Sequence, residues 1–313
     1  MLVPADETSI RDAAALLRGG GLVAFPTETV YGLGASALDA RAAARIFEAK
    51  RRPSFDPLIV HIASVEMLAV VARDVPDSAR VLMERFWPGP LTIVLRRSGA
   101  VPLVVTAGLQ TVAVRMPSHP VARALLREAG LPVAAPSANE FGSLSSTRAE
   151  HVVASLGDRV DCILDGGPTT IGIESTILQL EPVPLLLRPG ALPVEEIEAA
   201  IGPVERDATG ASPSPGRVAH HYAPGTPLRI ADSANVPLEE RADAAYLGFA
   251  TGACGYAAVR VLAPGGDPSE AAVHFFEYLH ELDALGLSRI DAAPVAEVGL
   301  GLAIMDRLRR AAA

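Results

Sequence analysis

The sequence predicts two α/β units joined by a long, turn-rich linker. Three observations carry this reading. Up to about residue 202, apolar runs of strand length alternate with Ala-rich helical stretches. Some of these strands are linked by hairpins and others by helices, which predicts a mixed, twisted sheet. Residues 203–227 then hold Pro203, Gly210, Pro213, Pro215, Gly216, Pro224, Gly225 and Pro227. That is too long for an ordinary connection within a compact domain. Beyond it the pattern simplifies to strand–helix–strand–helix, the signature of a small parallel sheet. The expected units are therefore 1–202, a linker over 203–227, and 228–313.

Apolar positions Ile10, Ala13, Ala14, Leu16 and Leu17 predict a first helix over 8–19, capped by Thr8 or Ser9. The run Gly21–Phe25 reads as a buried strand, and Thr27 to Gly34 as a turn closed by Gly32 and Gly34. Asp39 caps a helix over 40–49 that must stop at Pro53. Leu58–Ile62 is a strand, followed by helices from Ser64 to Val71 and from Asp77 to Phe86. Trp87-Pro88-Gly89-Pro90 breaks the chain before strands at Leu91–Leu95 and Thr111–Arg115. Helices near 120–129 and 147–156 alternate with strands near 131–135 and 161–164. Ser175–Leu180 and Leu185–Arg188 form a hairpin, and Glu195–Ile201 a short helix. In the second unit, strands are expected at 228–231, 245–249, 259–262 and 288–291, with helices at 270–285 and 302–312. His274 and His280, six apart on the first of these helices, are read as surface residues.

Composition narrows the function classes. The chain has 313 residues, is 50% hydrophobic and only 4% aromatic, so its core is mostly Ala, Val, Leu and Ile. A net charge of −9 argues against a dedicated nucleic-acid binder, though not against a local basic pocket. Cys162 and Cys254 stand far apart with no Cys-x-x-Cys, which argues for reduced thiols and against a thiolate zinc site. No leader pattern and no membrane-length apolar stretch is present, so a soluble cytoplasmic protein is expected, with no membrane partner.

Three patches sit at the ends of core elements, where a rigid scaffold presents chemistry. Lys50, Arg51 and Arg52 end a helix; they suit the helix dipole, or neutralise a polyphosphate. Thr27, Thr29 and Tyr31 are turn residues, or a hydroxyl cup for a small polar ligand. Ser137 and Asn139 follow a buried strand and, in extended geometry, face one side. A polar loop, Ser143 to Thr147, follows, and Thr147 has the alternative role of a helix cap. Arg115 and Arg188 close apolar strands and either reach water or grip a carboxylate as a fork. His220-His221 is a weak metal signal without acidic or thiol partners, and no phosphate-loop motif exists. These residues give an anion pocket but not a reaction.

The same patches, taken in order, resemble the Sua5/YrdC/YciO family and its long two-domain branch. The matching segments are Pro26–Gly34, Lys50-x-Arg52 with Pro57–His61, Trp87–Pro90, Val112–Pro117, Pro136–Asn139, Gly172–Ile177 and Leu187–Gly190. Ser214-Pro215-Gly216 with His221–Pro224 resembles the family's linker, and Gly299–Leu308 its C-terminal domain. The resemblance implies a YrdC-like twisted mixed-sheet domain, a linker serving as an active-site lid, and a small Rossmann-like domain. It implies an L-threonylcarbamoyl-AMP synthase, a nucleotidyltransferase that joins L-threonine, bicarbonate and ATP-Mg2+ and releases pyrophosphate. Its product would feed N6-threonylcarbamoyladenosine at tRNA position 37 through a separate transferase complex. By resemblance Thr29, His61, Arg115, Ser137 and Ser175 would hold threonine. Lys50, Arg52, Asp56, Thr111, Asn139, Thr147, Arg188 and Tyr222 would hold ATP. Lys50, Arg52, Ser137 and Asn139 would form the catalytic set, with no metal ligands assigned to side chains. Three places depart from the family pattern: an acid at Asp56, Phe141 in place of a common Ser, and Arg217–His220 in the linker. Rival readings are a non-catalytic RNA-binding module and a carbamoyl-adenylate enzyme of hydrogenase maturation. The latter needs zinc-binding cysteine pairs that this chain lacks.

Overall fold

The computed structural model describes residues 1–206 and 221–313. Its larger sheet has twelve strands and mixed direction. Across the sheet the order is Leu2–Pro4, Cys162–Asp165, Val23–Phe25, Gly32–Ser36, Val133–Ala134, Ile59–His61, Thr111–Arg115, Leu91–Arg97, Thr176–Gln179, Leu185–Arg188 and Glu205–Arg206, with Ala72–Arg73 beside Leu91–Arg97. The central strands are short and bury nearly every residue, which explains their continuous apolar runs. Helices Glu7–Arg18, Ala40–Lys50 and Pro120–Ala129 bury an apolar stripe each, made largely of Ala and Leu.

Most predicted elements are found within a residue or two. The first helix spans Glu7–Arg18 and is capped by Asp6, whose carboxylate accepts the Ser9 N–H; Thr8 and Ser9 lie inside it. Four strands were not foreseen: the short Leu2–Pro4, Ala72–Arg73 and Glu205–Arg206, the last inside the expected linker, and Gly32–Ser36 in the body of the sheet. Gly32–Ser36 pairs antiparallel with Val23–Phe25, so Gly32 and Gly34 are strand residues rather than turn closers. A Cβ at Gly34 would lie 2.8 Å from both Phe25 and Val133 side chains, so glycine is what admits the two neighbouring strands. Helix Ala149–Leu156 starts at an N-cap Arg148, and Thr147 gives it no side-chain cap.

The smaller sheet is parallel throughout, in the order Leu228–Ile230, Arg289–Ala292, Ala244–Gly248 and Ala258–Val261. Helices Pro268–Asp283 and Leu300–Ala311 pack beside it. Its core is shared with the first unit. Val30, Leu144, Ile173 and Tyr222 belong to the same buried cluster as Phe275, Phe276, Leu279 and Ile304. Gly172, at φ +84°, lets the two units close up: a Cβ there would sit 2.2 Å from the Ala272 carbonyl of helix Pro268–Asp283. His280 is not a surface residue. Its ring stacks on His151 at 3.8 Å and its Nε2 lies 3.0 Å from the Ser145 carbonyl of the first unit. The predicted linker lies partly outside the described residues, including Ser214–Gly216 and Arg217–His220.

Candidate functional site

The ends of several strands and the loops beside them converge on one cavity. Its lining includes Thr27, Thr29, Arg52, His61, Arg115, Ser137, Glu174, Ser175, Arg188, His221 and Tyr222. About 510 Å³ between these side chains, part of it open to solvent, is free of protein atoms.

The threonine-side residues named from the sequence all line this cavity. Thr29 is placed by the turn after Val23–Phe25, where Thr27 Oγ1 lies 2.8 Å from Thr29 Oγ1 and donates to the Val30 carbonyl at 2.6 Å. His61 and Arg115 end paired parallel strands and stand side by side in register. Ser175 Oγ lies 2.8 Å from Thr92 Oγ1, and its carbonyl accepts two bonds from the Arg188 guanidinium. Arg115 is a fork on a carboxylate, but the carboxylate is the protein's own: Nη2 donates to Glu28 at 2.6 Å and Nη1 to Thr29 Oγ1 at 2.9 Å. Nε reaches the Gly89 carbonyl at 3.3 Å. A guanidinium has five N–H groups, so capacity for a further anion remains.

The residues expected around ATP divide. Arg52, Arg188 and Tyr222 line the cavity. Lys50 is buried behind it and donates to the carbonyls of Ser137, at 2.6 Å, and of Asn139. The paired-cation corner is therefore a clamp on the Ser137–Asn139 turn as well as a source of charge. The Asn139 side chain turns away from Ser137 and donates to the Glu140 and Ser143 carbonyls. Thr147 contacts His151 and does not line the cavity. Thr111 begins the strand whose far end carries Arg115, and opens onto a separate cleft with Asp74, Arg96 and Glu181. The geometry thus does not bring Thr111 to the pocket.

Two departures from the family pattern find a physical role. Asp56 Oδ2 lies 2.9 Å from Arg52 Nη2 in a fully buried pair, though not aligned for a hydrogen bond. Arg52 itself donates to the Asp56 and Pro57 carbonyls. Burial pushes the Asp56 carboxyl up, and Arg52 pulls it back. Phe141 packs its ring 5.8 Å from the Arg52 guanidinium and 5.5 Å from the His221 ring.

Sequence reasoning missed Glu28 and Glu174 as site residues, although both lie inside quoted motifs. Glu28 neutralises Arg115. Glu174 lines the cavity and accepts from Ser145 Oγ and from Arg307 Nε, at 3.0 Å. No local signal marks either partner.

Buried polar atoms without a hydrogen bond among the described residues gather here. They include His61 Nδ1, His221 Nδ1 and Tyr222 Oη, all on cavity residues. In folded proteins such atoms usually wait for water or ligand. Burial, with Arg115 adding repulsion, holds His61 neutral and its pKa down to about 3. Burial and neighbouring cations hold His221 well below the usual range, and burial lowers His151 to about 4. The unfolded chain takes up protons on these rings near pH 6.5, while the folded chain resists. Unfolded protein then binds more protons, so stability is lost as pH falls from about 6.5 toward 3. His61 alone sets a slope of about 1.4 kcal/mol per pH unit. Urea midpoints are expected to fall steadily from pH 7 to pH 5; a flat profile would contradict this account.

Known proteins align with both units. The family model described as "Telomere recombination", Sua5/YciO/YrdC, matches residues 15–190. One described as "Threonylcarbamoyl-AMP synthase, C-terminal domain" matches residues 192–313. The chain belongs to the Sua5/YciO/YrdC family, in its two-domain Sua5 form. Threonylcarbamoyl-AMP synthase of Pyrococcus abyssi is 46% identical over 98% of this chain and 94% of its own. That of Bacillus subtilis is 45% identical with the same coverage. The crystal structure of P. abyssi Sua5 complexed with L-threonine superposes with a TM-score of 0.92 at 43% identity, covering 100% of this chain and 97% of that one.

Proposed function

We propose that the protein is an L-threonylcarbamoyladenylate synthase, a nucleotidyltransferase acting in the cytoplasm. The observation that carries this reading is the convergence of Thr29, His61, Arg115, Ser137 and Ser175 on one cavity roofed by Tyr222. Its mix of hydroxyls with the Arg115 guanidinium suits a small hydroxy amino acid, with Arg52 and Arg188 left for a second, anionic ligand. The relatives' names supply the reaction class.

In this reading the threonine amine joins bicarbonate, with loss of water, to give an N-carboxylate. An oxygen of that carboxylate forms a bond to the α-phosphorus of ATP, and the bond from the α-phosphorus to the bridging oxygen breaks to release pyrophosphate. The protein positions the parts and stabilises charge. Arg115 and the hydroxyls of Thr29 and Ser175 orient threonine. Neutral His61 serves as a hydrogen-bonding group, not as a cation. Arg52 and Arg188 face the developing phosphate charge. Lys50 and Asn139 hold the Ser137 turn in register with it. Among the described residues no three His, Cys, Asp or Glu side chains gather as a metal cage. A magnesium ion would accordingly ride on ATP, with phosphate oxygens and water as ligands, which suits its preference. It would neutralise phosphate charge.

The linker acts as a lid in this reading, through His221 and Tyr222, while its start at Glu205–Arg206 is a strand of the larger sheet. His221 and Tyr222 line the same cavity, so in this reading they move aside for ATP, and their return would exclude water from a labile adenylate. The product would pass to a transferase complex that modifies tRNA. The RNA-binding alternative draws no support from a chain of net charge −9.

The test is pyrophosphate release from ATP with L-threonine and bicarbonate each present or omitted. Release that needs both is expected. Release that needs neither, or salt-sensitive tRNA binding without turnover, would overturn the reading.

A further inference from the structure

Arg307 sits in the last helix, Leu300–Ala311, and is 0% exposed. A guanidinium so deep needs compensation for its lost hydration. Besides two residues of its own helix, its partners are Glu174 and Pro189 of the first unit and Tyr222 of the linker. Nε donates to Glu174 Oε2 at 3.0 Å. Nη1 donates to the Pro189 carbonyl at 2.5 Å, to its neighbour Asp306 at 3.1 Å, and weakly to the Ala303 carbonyl. The guanidinium carbon lies 5.2 Å from the centre of the Tyr222 ring. Glu174 and Tyr222 both line the cavity, and Pro189 follows Arg188, which also lines it. One side chain of the C-terminal unit thus touches Glu174 in the wall, Tyr222 in the roof, and the residue that follows Arg188.

Ordinary interdomain glue looks different in this molecule. Arg148 pairs with Glu277 across the same interface, with both side chains partly exposed and neither lining the cavity. Such a pair contributes little beyond surface electrostatics. Arg307 instead has no route to water, and its Nη2 finds no hydrogen-bond partner among the described residues. Tyr222 is held at φ +63°, a conformation that an L residue keeps only when its surroundings fix it. The ring contact with Arg307 and the tilted packing on Phe276 supply that restraint.

We infer that Arg307 is a positioning residue through which the C-terminal unit seats Tyr222 and Glu174 at the pocket and so sets its closed form. It touches no reacting atom. The guanidinium fixes the Glu174 carboxylate from one side while the Ser145 hydroxyl fixes it from the other. The flat cation lies against the Tyr222 ring, a geometry that an ammonium on a flexible stem does not reproduce. The activity part of this inference rests on the synthase reading.

The experiment compares Arg307→Met, Arg307→Lys and the interdomain control Arg148→Met in the full chain. Two readouts are taken: amide hydrogen exchange across residues 221–226, and the KM for L-threonine beside kcat. Arg307→Met is expected to speed exchange in that segment while the strands of both sheets keep their protection. It should also raise the threonine KM by about tenfold, as loss of pocket positioning does. Arg307→Lys should fall between it and the wild type, and Arg148→Met should leave exchange at 221–226 unchanged. If Arg307→Met does not fold, Arg307→Lys decides by the same measurements. Equal exchange at 221–226 in the wild type and in the folded Arg307 variants would overturn the inference. So would a threonine KM matching that of Arg148→Met. If the wild type shows no threonine-dependent turnover, the synthase reading fails, while the exchange measurement still judges Arg307.

Discussion

Arg115→Met is expected to cost about 3–5 kcal/mol of folding stability and to abolish threonine binding. The reason lies in its partner. Arg115 and Glu28 are about 4–5% exposed, and the guanidinium supplies the charge that keeps the carboxylate ionised there. Burial pushes the Glu28 carboxyl upward, and the Coulomb attraction and hydrogen bond of Arg115 bring it below its ordinary value. Methionine fills similar space but leaves an unpaired buried acid, still bonded only to the Ser118 N–H. Glu28→Gln placed in the same chain should recover most of the stability, because it removes the orphaned charge. It should not recover threonine binding, because the fork on the ligand side is still missing. Urea unfolding and calorimetric titration with L-threonine separate the two effects. A stability loss below about 1 kcal/mol for Arg115→Met would place the pair in the class of weak surface bridges and refute this account.

Lys50→Met is expected to lower ATP turnover at least about 100-fold, the scale of losing a preorganised charge from a phosphoryl-transfer site. Here the ammonium has two jobs. It is fully buried, and its pKa is pulled well below the ordinary lysine value by burial, with Arg52 adding repulsion and Asp56 opposing. It also satisfies two carbonyls of the Ser137–Asn139 turn. Removing it strands those carbonyls, each at a cost of about 1–3 kcal/mol, and frees the turn that carries Ser137. Lys50→Arg is not a conservative rescue, since the larger guanidinium must enter a fully buried site that now holds an ammonium. Pyrophosphate release measures the first effect and thermal unfolding the second. Near-normal turnover in Lys50→Met would remove the residue from the first role, and an unchanged unfolding temperature from the second.

The architecture was readable from local pattern because its determinants are local. Apolar runs such as Leu58–Ile62 and Thr111–Arg115 gave strands, and Asp39 gave a helix start that its carboxylate indeed caps. Gly32–Ser36 escaped because its strand is specified by what lies across from it, Phe25 and Val133, and not by its own weak β-propensity. The site divides the same way. The family motifs mark Thr29, His61, Arg115, Ser137 and Ser175, and the fold gathers them. What the motifs leave out are the counterions. Arg115 and Glu28 are separated by 87 residues, and Arg307 and Glu174 by 133. A charge whose partner is that remote looks in sequence like any solvated residue. Thr111 shows the converse: a motif neighbour of Arg115 that sits at the opposite end of the same strand.

The pairing of Glu174 with Arg307 also bears on how the molecule is made. A ribosome adding about 5–20 residues per second delivers Arg307 roughly 7–27 s after Glu174. During that interval the twelve-stranded sheet can assemble, since every one of its strands lies before residue 207. Its pocket wall then holds an acid with no guanidinium beside it, and its roof is missing. A nascent chain halted in this window would carry a finished scaffold and an unfinished site. Maturation is thus vectorial: the last helix to leave the tunnel completes a pocket laid down by the first two-thirds of the chain.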